Sequence, residues 1–393
     1  MKLICSEEKC TGCGLCVSLC NRSAISLSEK KITGHFIPVI DEEKCVDCGL
    51  CHKKCPANNG DELVEPKAAY AAWRKNKDKQ KGSSSGGVAA ALYEAAIAEK
   101  WYIVGTYLDE NLLPKLKLSN SLEDVAGFKG SKYVQAKPEK IYREIKKTIE
   151  ENNNVLFIGT PCQCQAARNA CDGNESLYTV ELICHGVPSQ KIFREYIKYI
   201  EDIRKKKVTD VSFRSAYGEE LTMKAKDKII WKRKRPEDFY LTAFNEGIIL
   251  NDACYQCRYA GPQRGSDLTI GDFWGIGRDE PFKDPGCKVS VIAVNTEKGE
   301  KLLKMCDDIE ISKRQYTEAV NGNAQLKAPK NKSHIYDLFW AEYMKSGVEA
   351  ALKETIYKSV QHEYIVRKIR QFPKVMVKKI LRSFLYNLNC KGS

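Results

Sequence analysis

Of the 393 residues, eighteen are cysteines, and two groups of four repeat one spacing. Cys10, Cys13, Cys16 and Cys20 follow C-x2-C-x2-C-x3-C, and Cys45, Cys48, Cys51 and Cys55 follow it again, with Pro56 next. Three thiolates two residues apart, with Gly12, Gly14 and Gly49 to relax the loops, can wrap three corners of a 4Fe–4S cubane. The fourth cysteine of each run leaves on a short helix and reaches the other cubane. One cluster is thereby assigned to Cys10, Cys13, Cys16 and Cys55, the other to Cys45, Cys48, Cys51 and Cys20. Zinc is the competing reading, but zinc sites draw on separated ligand pairs rather than two four-cysteine runs. Two cubanes bound throughout by cysteine hold no open position for a substrate, so their chemistry is one-electron transfer.

A looser set of cysteines follows strand-like segments. Cys162 comes after Val155-Leu156-Phe157-Ile158-Gly159-Thr160-Pro161, where Thr160 caps a helix and Pro161 suits its first position. A thiol at that positive end is expected to ionise more readily. Cys184 ends another strand in Ile183-Cys184-His185-Gly186, and Cys254 and Cys257 form a CxxC pair. Together they make four ligands for a cubane or a zinc ion, with Cys164 an alternative to Cys162. Ordinary buried cysteines are the competing explanation. Cys5, Cys171, Cys287, Cys306 and Cys390 suggest no role.

The elements that must hold these residues alternate in type. Strands are predicted at 101–108, 155–158, 176–183, 208–213, 267–270 and 289–295, all in one sheet. Helices are predicted at 88–100, 139–150, 189–205 and 296–306. Residues 61–80, polar and lysine-rich, read as a linker or a domain edge. The fold class is α+β or α/β, a small two-cluster domain fused to a mixed-sheet domain with a helical tail. The expected boundaries are 1–62, 63–150, 151–315 and 316–393. Lys81-Gly82-Ser83-Ser84-Ser85-Gly86-Gly87 precedes a helix, either as a flexible turn or as a phosphate cradle. It lacks the ending of a Walker A loop.

Composition narrows the function classes. The chain is 43% hydrophobic and 29% charged, with a formal charge of +13. No run is apolar enough to span a membrane, and the amino terminus does not read as a signal peptide, so a cytoplasmic location is expected. In a reducing compartment clustered cysteines point to metal rather than disulfides. The basic excess suits an anionic cofactor or an acidic electron carrier. No recognition motif accompanies it to suggest nucleic acid.

Residues 1–60 resemble a bacterial two-cluster ferredoxin, with Asn21 where the repeat would have proline. The Gly-Ser run joins a longer series of motifs. These are Gly130-Ser131-Lys132-Tyr133-Val134-Gln135, Gly159-Thr160-Pro161-Cys162-Gln163, Ile183-Cys184-His185-Gly186-Val187-Pro188-Ser189, Cys254-Tyr255-Gln256-Cys257 and Thr269-Ile270-Gly271-Asp272-Phe273-Trp274-Gly275. In that order they resemble the coenzyme F-420 hydrogenase/dehydrogenase beta-subunit family, in its bacterial form with an amino-terminal ferredoxin pair, over about residues 1–310. The resemblance implies bound FAD and a third 4Fe–4S cluster held by Cys162, Cys184, Cys254 and Cys257. It implies FAD contacts at Gly82, Ser83, Ser84, Ser85, Gly86, Gly87, Gly159, Thr160, Gly271 and Asp272. The function it implies is an iron–sulfur flavoprotein oxidoreductase acting on an unidentified acceptor, partnered by a ferredoxin-like carrier or a redox subunit. The alternative is a non-catalytic electron-input subunit of a larger complex. Use of coenzyme F-420 itself does not follow.

His185 is the one histidine beside this chemistry, either a proton donor to substrate or flavin or a structural hydrogen-bonding residue. The basic runs 204–207 and 232–235 read as solvated faces or as docking sites for an acidic partner. In residues 374–388, Val377, Ile380, Leu381, Phe384, Leu385 and Leu388 share a helical face beside several lysines. That face either packs on protein or rests on an anionic membrane surface.

Overall fold

The computed structural model describes residues 3–215 and 218–357. Its amino-terminal unit is small. Helix α1 (Leu15–Leu19) follows the first cysteine loop, strands β1 (Ile25–Glu29) and β2 (Phe36–Ile40) pair as an antiparallel hairpin, and helix α2 (Leu50–Lys53) follows the second loop. Gly14 and Gly49, at φ 74° and 70°, start the two helices. Only glycine takes this left-handed conformation without steric cost.

The body is built on eight strands. They are β3 (Ala68–Arg74), β4 (Tyr102–Leu108), β5 (Pro114–Ser119), β6 (Val155–Gly159) and β7 (Leu177–Leu182), then, past a separate three-stranded sheet, β11 (Leu268–Asp272), β12 (Ser290–Val294) and β13 (Ile309–Arg314). The separate sheet comprises β8 (Asp210–Ser215), β9 (Gly218–Ala225) and β10 (Lys228–Lys234). The large sheet runs β13-β3-β12-β11-β7-β6-β4-β5. Its four central strands, β11, β7, β6 and β4, are mutually parallel, and the flanking pairs are antiparallel. Every residue of β6 is buried, as a parallel strand covered on both faces must be.

Alternate residues of the central strands feed two cores. Ile103, Leu156 and Ile158 face α4 (Val88–Ala98) and α10 (Glu297–Lys304). Val104, Val155 and Phe157 face α6 (Ile141–Glu150) and α7 (Pro161–Ala170). On α6 the buried residues Ile141, Ile145 and Ile149 are four apart, which sets one stripe against the sheet. Leu15 of α1 shares that second core, so the cysteine unit is anchored in the body. A third core joins the small sheet to α8 (Gln190–Arg204), α9 (Phe239–Asn245) and α12 (Tyr336–Ala351).

Two expectations are corrected. Residues 61–80 are not a linker throughout, because β3 lies inside the large sheet, hydrogen-bonded to β12 and β13. Its alanines are weak strand formers, and neighbours on both sides supply what propensity does not. Strand β8, expected to extend the main sheet, belongs to the separate one. Among the described residues no helix is long and apolar enough to cross a membrane. The amphipathic stretch 374–388 and Cys390 lie outside the described residues.

Candidate metal and cofactor centre

The cysteine loop of the first run closes on the helix of the second. Cys10, Cys13, Cys16 and Cys55 line one cavity, together with Cys5. Cys10 and Cys55, together with burial, hold the neighbouring Cys5 thiol protonated. Cys5 in turn lowers Cys10 and brings Cys55 down to about 6. Burial pushes Cys16 up to about 12 and Cys13 well above the usual thiol value. Cys5 was not legible as part of this ring because it stands outside the repeated spacing.

The second ring is adjacent. Burial raises Cys51, with Cys48 and Cys20 as charged neighbours, and Cys51 in turn acts on Cys16 of the first ring. Cys45 opens the same loop, its amide bonded to the Asp41 carbonyl at 3.0 Å. Cys48 is exposed, whereas Cys10 is buried.

The third group forms at the carboxyl ends of the parallel strands, where open α/β sheets bind their ligands. Cys162 follows β6 as the second residue of α7, and Cys184 follows β7 by two residues. Cys254 stands in the 3-10 turn Asp252–Gln256, and Cys257 ends it. Burial pushes Cys162 up to about 11 and Cys184 up to about 12, and each of the four thiols neighbours others of the set. The helix terminus was expected to lower Cys162. Thr160 does hydrogen-bond its sulfur at 3.3 Å, but loss of hydration outweighs that help. Buried thiols of this kind give up their protons to a bound cation. Cys164 turns away into the core, 3.5 Å from the Val180 carbonyl. Among the described residues, no three Cys, His, Asp or Glu side chains stand at the spacing of a single-ion site.

Two buried tyrosines stand beside these rings, and their hydroxyls have no partner among the described residues. Tyr142 is 1% exposed and Tyr259 6% exposed. Such orphaned groups mark where a bound group with acceptor atoms fits.

The Gly-Ser loop divides into two parts. Gly82 lines a cleft of about 1110 Å³, measured out to its open mouth, with Lys129, Gly130, Ser131, Lys132 and Arg214. Ser84 accepts from the Ser131 amide at 2.6 Å, and the Ser83 hydroxyl is buried without a partner. The remainder is bound against strands β3 and β12 of the large sheet. Ser85 donates to the Val289 carbonyl, the Gly86 amide donates to Ser290 Oγ, and a Cβ on Gly86 would meet the Ala72 oxygen at 2.3 Å. Gly87 lies against Arg74, which pairs with Glu94 and Asp308.

Other predicted contacts are committed locally. Asp272 accepts from Arg214 at 2.8 Å, and Arg214 also donates to Ser84 O and Tyr133 Oη while its Nε stays unpartnered. A Cβ on Gly271 would strike Ile183, and one on Gly159 would strike Phe157. Thr160 and Gln163 form a reciprocal cap that fixes the start of α7. Lys132 donates to four carbonyls, those of Gly127, Phe128, Lys129 and Gly130, and burial brings its ammonium down to about 7. Trp274 is half exposed, with Arg214 5.9 Å from its ring.

His185 contacts Gln325 through Nδ1 at 2.6 Å, its ring lies edge-on to Phe244, and its buried Nε2 has no partner. Burial lowers it to about 4, so the imidazole is neutral near pH 7. The basic run 232–235 is engaged locally, Lys232 with Glu220, Arg233 with Glu237 and Arg235 with Glu246. Arg204 and Arg233 both lie over the Trp231 ring.

Residues 9–59 match a 4Fe-4S dicluster domain, and residues 152–319 match the carboxyl-terminal domain of the coenzyme F420 hydrogenase/dehydrogenase beta subunit. The chain joins these two domains. The dicluster match contains all eight cysteines of the first two rings, and the beta-subunit match contains Cys162, Cys184, Cys254 and Cys257. The beta-subunit domain begins after the Gly-Ser loop, which lies in neither match. A solved chain of the F420-reducing [NiFe] hydrogenase complex from Methanosarcina barkeri, studied as a xenon derivative, is similar at 18% identity and a TM-score of 0.46. The similarity covers 75% of this chain and 94% of that one. A search of curated proteins finds no match.

Proposed function

We propose that this chain is an iron–sulfur flavoprotein oxidoreductase, with a third 4Fe–4S cluster on Cys162, Cys184, Cys254 and Cys257 and FAD in the cleft lined by Gly82, Lys129 and Arg214. The observation that carries it is the convergence of four half-buried thiols, two at the carboxyl ends of β6 and β7 and two at the Asp252–Gln256 turn. When bound, FAD exchanges two electrons with an organic partner and single electrons with clusters.

The chain's own groups supply the rest. Gly82, Gly130 and Ser131 offer backbone and hydroxyl contacts, and Lys129 and Arg214 place positive charge on the same cleft, a fit for a pyrophosphate. The Ser83 hydroxyl and Arg214 Nε have donor capacity to spare. Asp272 acts through Arg214, whose guanidinium it holds in place. Neutral His185, with Nδ1 occupied, has only Nε2 to offer a substrate.

Metal and flavin content of anaerobically reconstituted protein test this reading. About twelve irons per chain, falling to about eight in Cys184→Ser, with one flavin bound, are expected. About eight irons in the unaltered protein would remove the third cluster, and absent flavin absorbance would remove the flavoprotein. Stopped-flow reduction by NADH, reduced ferredoxin or reduced F420 then separates an enzyme from a relay subunit.

A further inference from the structure

The first and third thiol rings meet at a three-helix contact. Helix α1, which carries Cys16 and follows Cys13, packs against both α6 and α7, and α6 packs against α7, which carries Cys162. Tyr142 is the second residue of α6. Its ring stacks near Phe157 at 6.4 Å, and it shares a core with Leu15, Ile141, Ile145, Cys164 and Ala167. Tyr259 stands two residues beyond Cys257, its carbonyl held by Arg264 at 2.9 Å.

A buried hydroxyl left unbonded is destabilising. A buried water would need two to four polar partners, and the core around Tyr142 is apolar. Thiols are the exception. Cys13 and Cys164 pack on the core that holds Tyr142, and Tyr259 follows Cys257 by two residues. Tyr142 therefore stands at the contact of the first and third rings, and Tyr259 beside the third.

We propose that Tyr142, between the first and third clusters, and Tyr259, beside the third, each donate a hydrogen bond to cluster or thiolate sulfur and so set the reduction potentials across that interval. The assignment rests on the third cluster of the proposed function. Donors to sulfur stabilise the more negative, reduced state, so they raise the potential. No bond is made or broken, and both tyrosines act as positioning residues.

The test is an EPR-monitored redox titration of anaerobically reconstituted full-length protein, unaltered and as Tyr142→Phe, Tyr259→Phe and the double variant. Phenylalanine keeps the ring and removes a hydroxyl that has no partner among the described residues, and iron content verifies that each variant is loaded. Each single change is expected to shift at least one cluster's reduction equilibrium about tenfold toward the oxidised form, ~59 mV, with a larger shift in the double variant. Unchanged midpoints in both single variants at full iron content would overturn the proposal. About eight irons in the unaltered protein would instead sink the third cluster itself, and Tyr142→Phe would still report on donation to the Cys13 cluster.

Discussion

The first two rings share a spacing but not a setting. Both contain Cys-Gly-Leu-Cys, at residues 13–16 and 48–51, yet Leu15 is 1% exposed and Leu50 37% exposed. A Cβ on Gly14 would meet Pro138 at 2.3 Å, whereas one on Gly49 would meet nothing within 4 Å. The contrast recurs two residues earlier. Gly12 and Asp47 hold matching places and both have positive φ, 66° and 49°. Gly12 has no room for a side chain, because Gln135 Nε2 and the Phe36 carbonyl would lie 2.5 and 2.7 Å from its Cβ. Both cysteine loops take the left-handed turn, while the body decides whether that turn must be glycine. The first ring faces inward and the second faces solvent.

Exchanging the two settings should break this contrast most visibly. Gly12→Asp is expected to lose roughly 3–5 kcal/mol of stability by overpacking and by burying a charge beside Gln135. Denaturant unfolding of the anaerobic protein measures it, and a loss under about 1 kcal/mol would mean the first ring is not clamped. Acid should act on the same junction. His35 is buried 3.0 Å from the Val187 carbonyl, and burial lowers it from 6.5 to about 4. Above pH 6.5 it is neutral folded or unfolded and contributes no pH dependence. As pH falls from 6.5 toward 4 the unfolded chain takes the proton first, so stability should drop by about 3 kcal/mol at most and then level off. Unfolding midpoints across that window should flatten in His35→Gln; an unchanged slope would assign the acid sensitivity elsewhere.

Gln135 donates to the Thr11 carbonyl and accepts from the Phe36 amide, so Gln135→Ala should cost about 2 kcal/mol by stranding both groups. It should leave the second ring's EPR signal unmoved, and a change confined to that ring would reverse the picture. The smallest effect belongs to the open loop. Gly49→Ala should cost only about 1 kcal/mol, the left-handed penalty alone, and thermal unfolding compared with Gly14→Ala measures the gap.

The first two rings and the third set differ in legibility. The eight cysteines of the first two rings read as one pattern because their spacing is encoded within eleven-residue runs. The third set joins strand ends far apart in the chain; the residues suggest Cys162, Cys184, Cys254 and Cys257 as a cubane or zinc set with buried cysteines as the rival reading, and the resemblance favours the cubane. Neither route could reveal that Gly12 answers to Gln135, or that Cys5 joins the first ring, since nothing local encodes either contact. Strand β3 escaped notice because alanine gives little strand signal, and its place depends on β12 and β13. The strand ends carrying Gly159 and Cys184 were visible as apolar runs with breakers, while the commitment of Asp272 to Arg214 needed three dimensions.

Strand β3 also bears on how the amino-terminal unit can move. It begins only thirteen residues after Cys55, at Ala68, and is locked between two neighbours. Asn169 binds the Lys54 and Asn59 carbonyls, and Arg168 pairs with Asp61, so the connecting chain is tethered as well. Such a mounting excludes a swinging carrier arm: transfer between the inner rings should be insensitive to solvent viscosity, and only the approach of a diffusing donor to the outward ring should slow in glycerol.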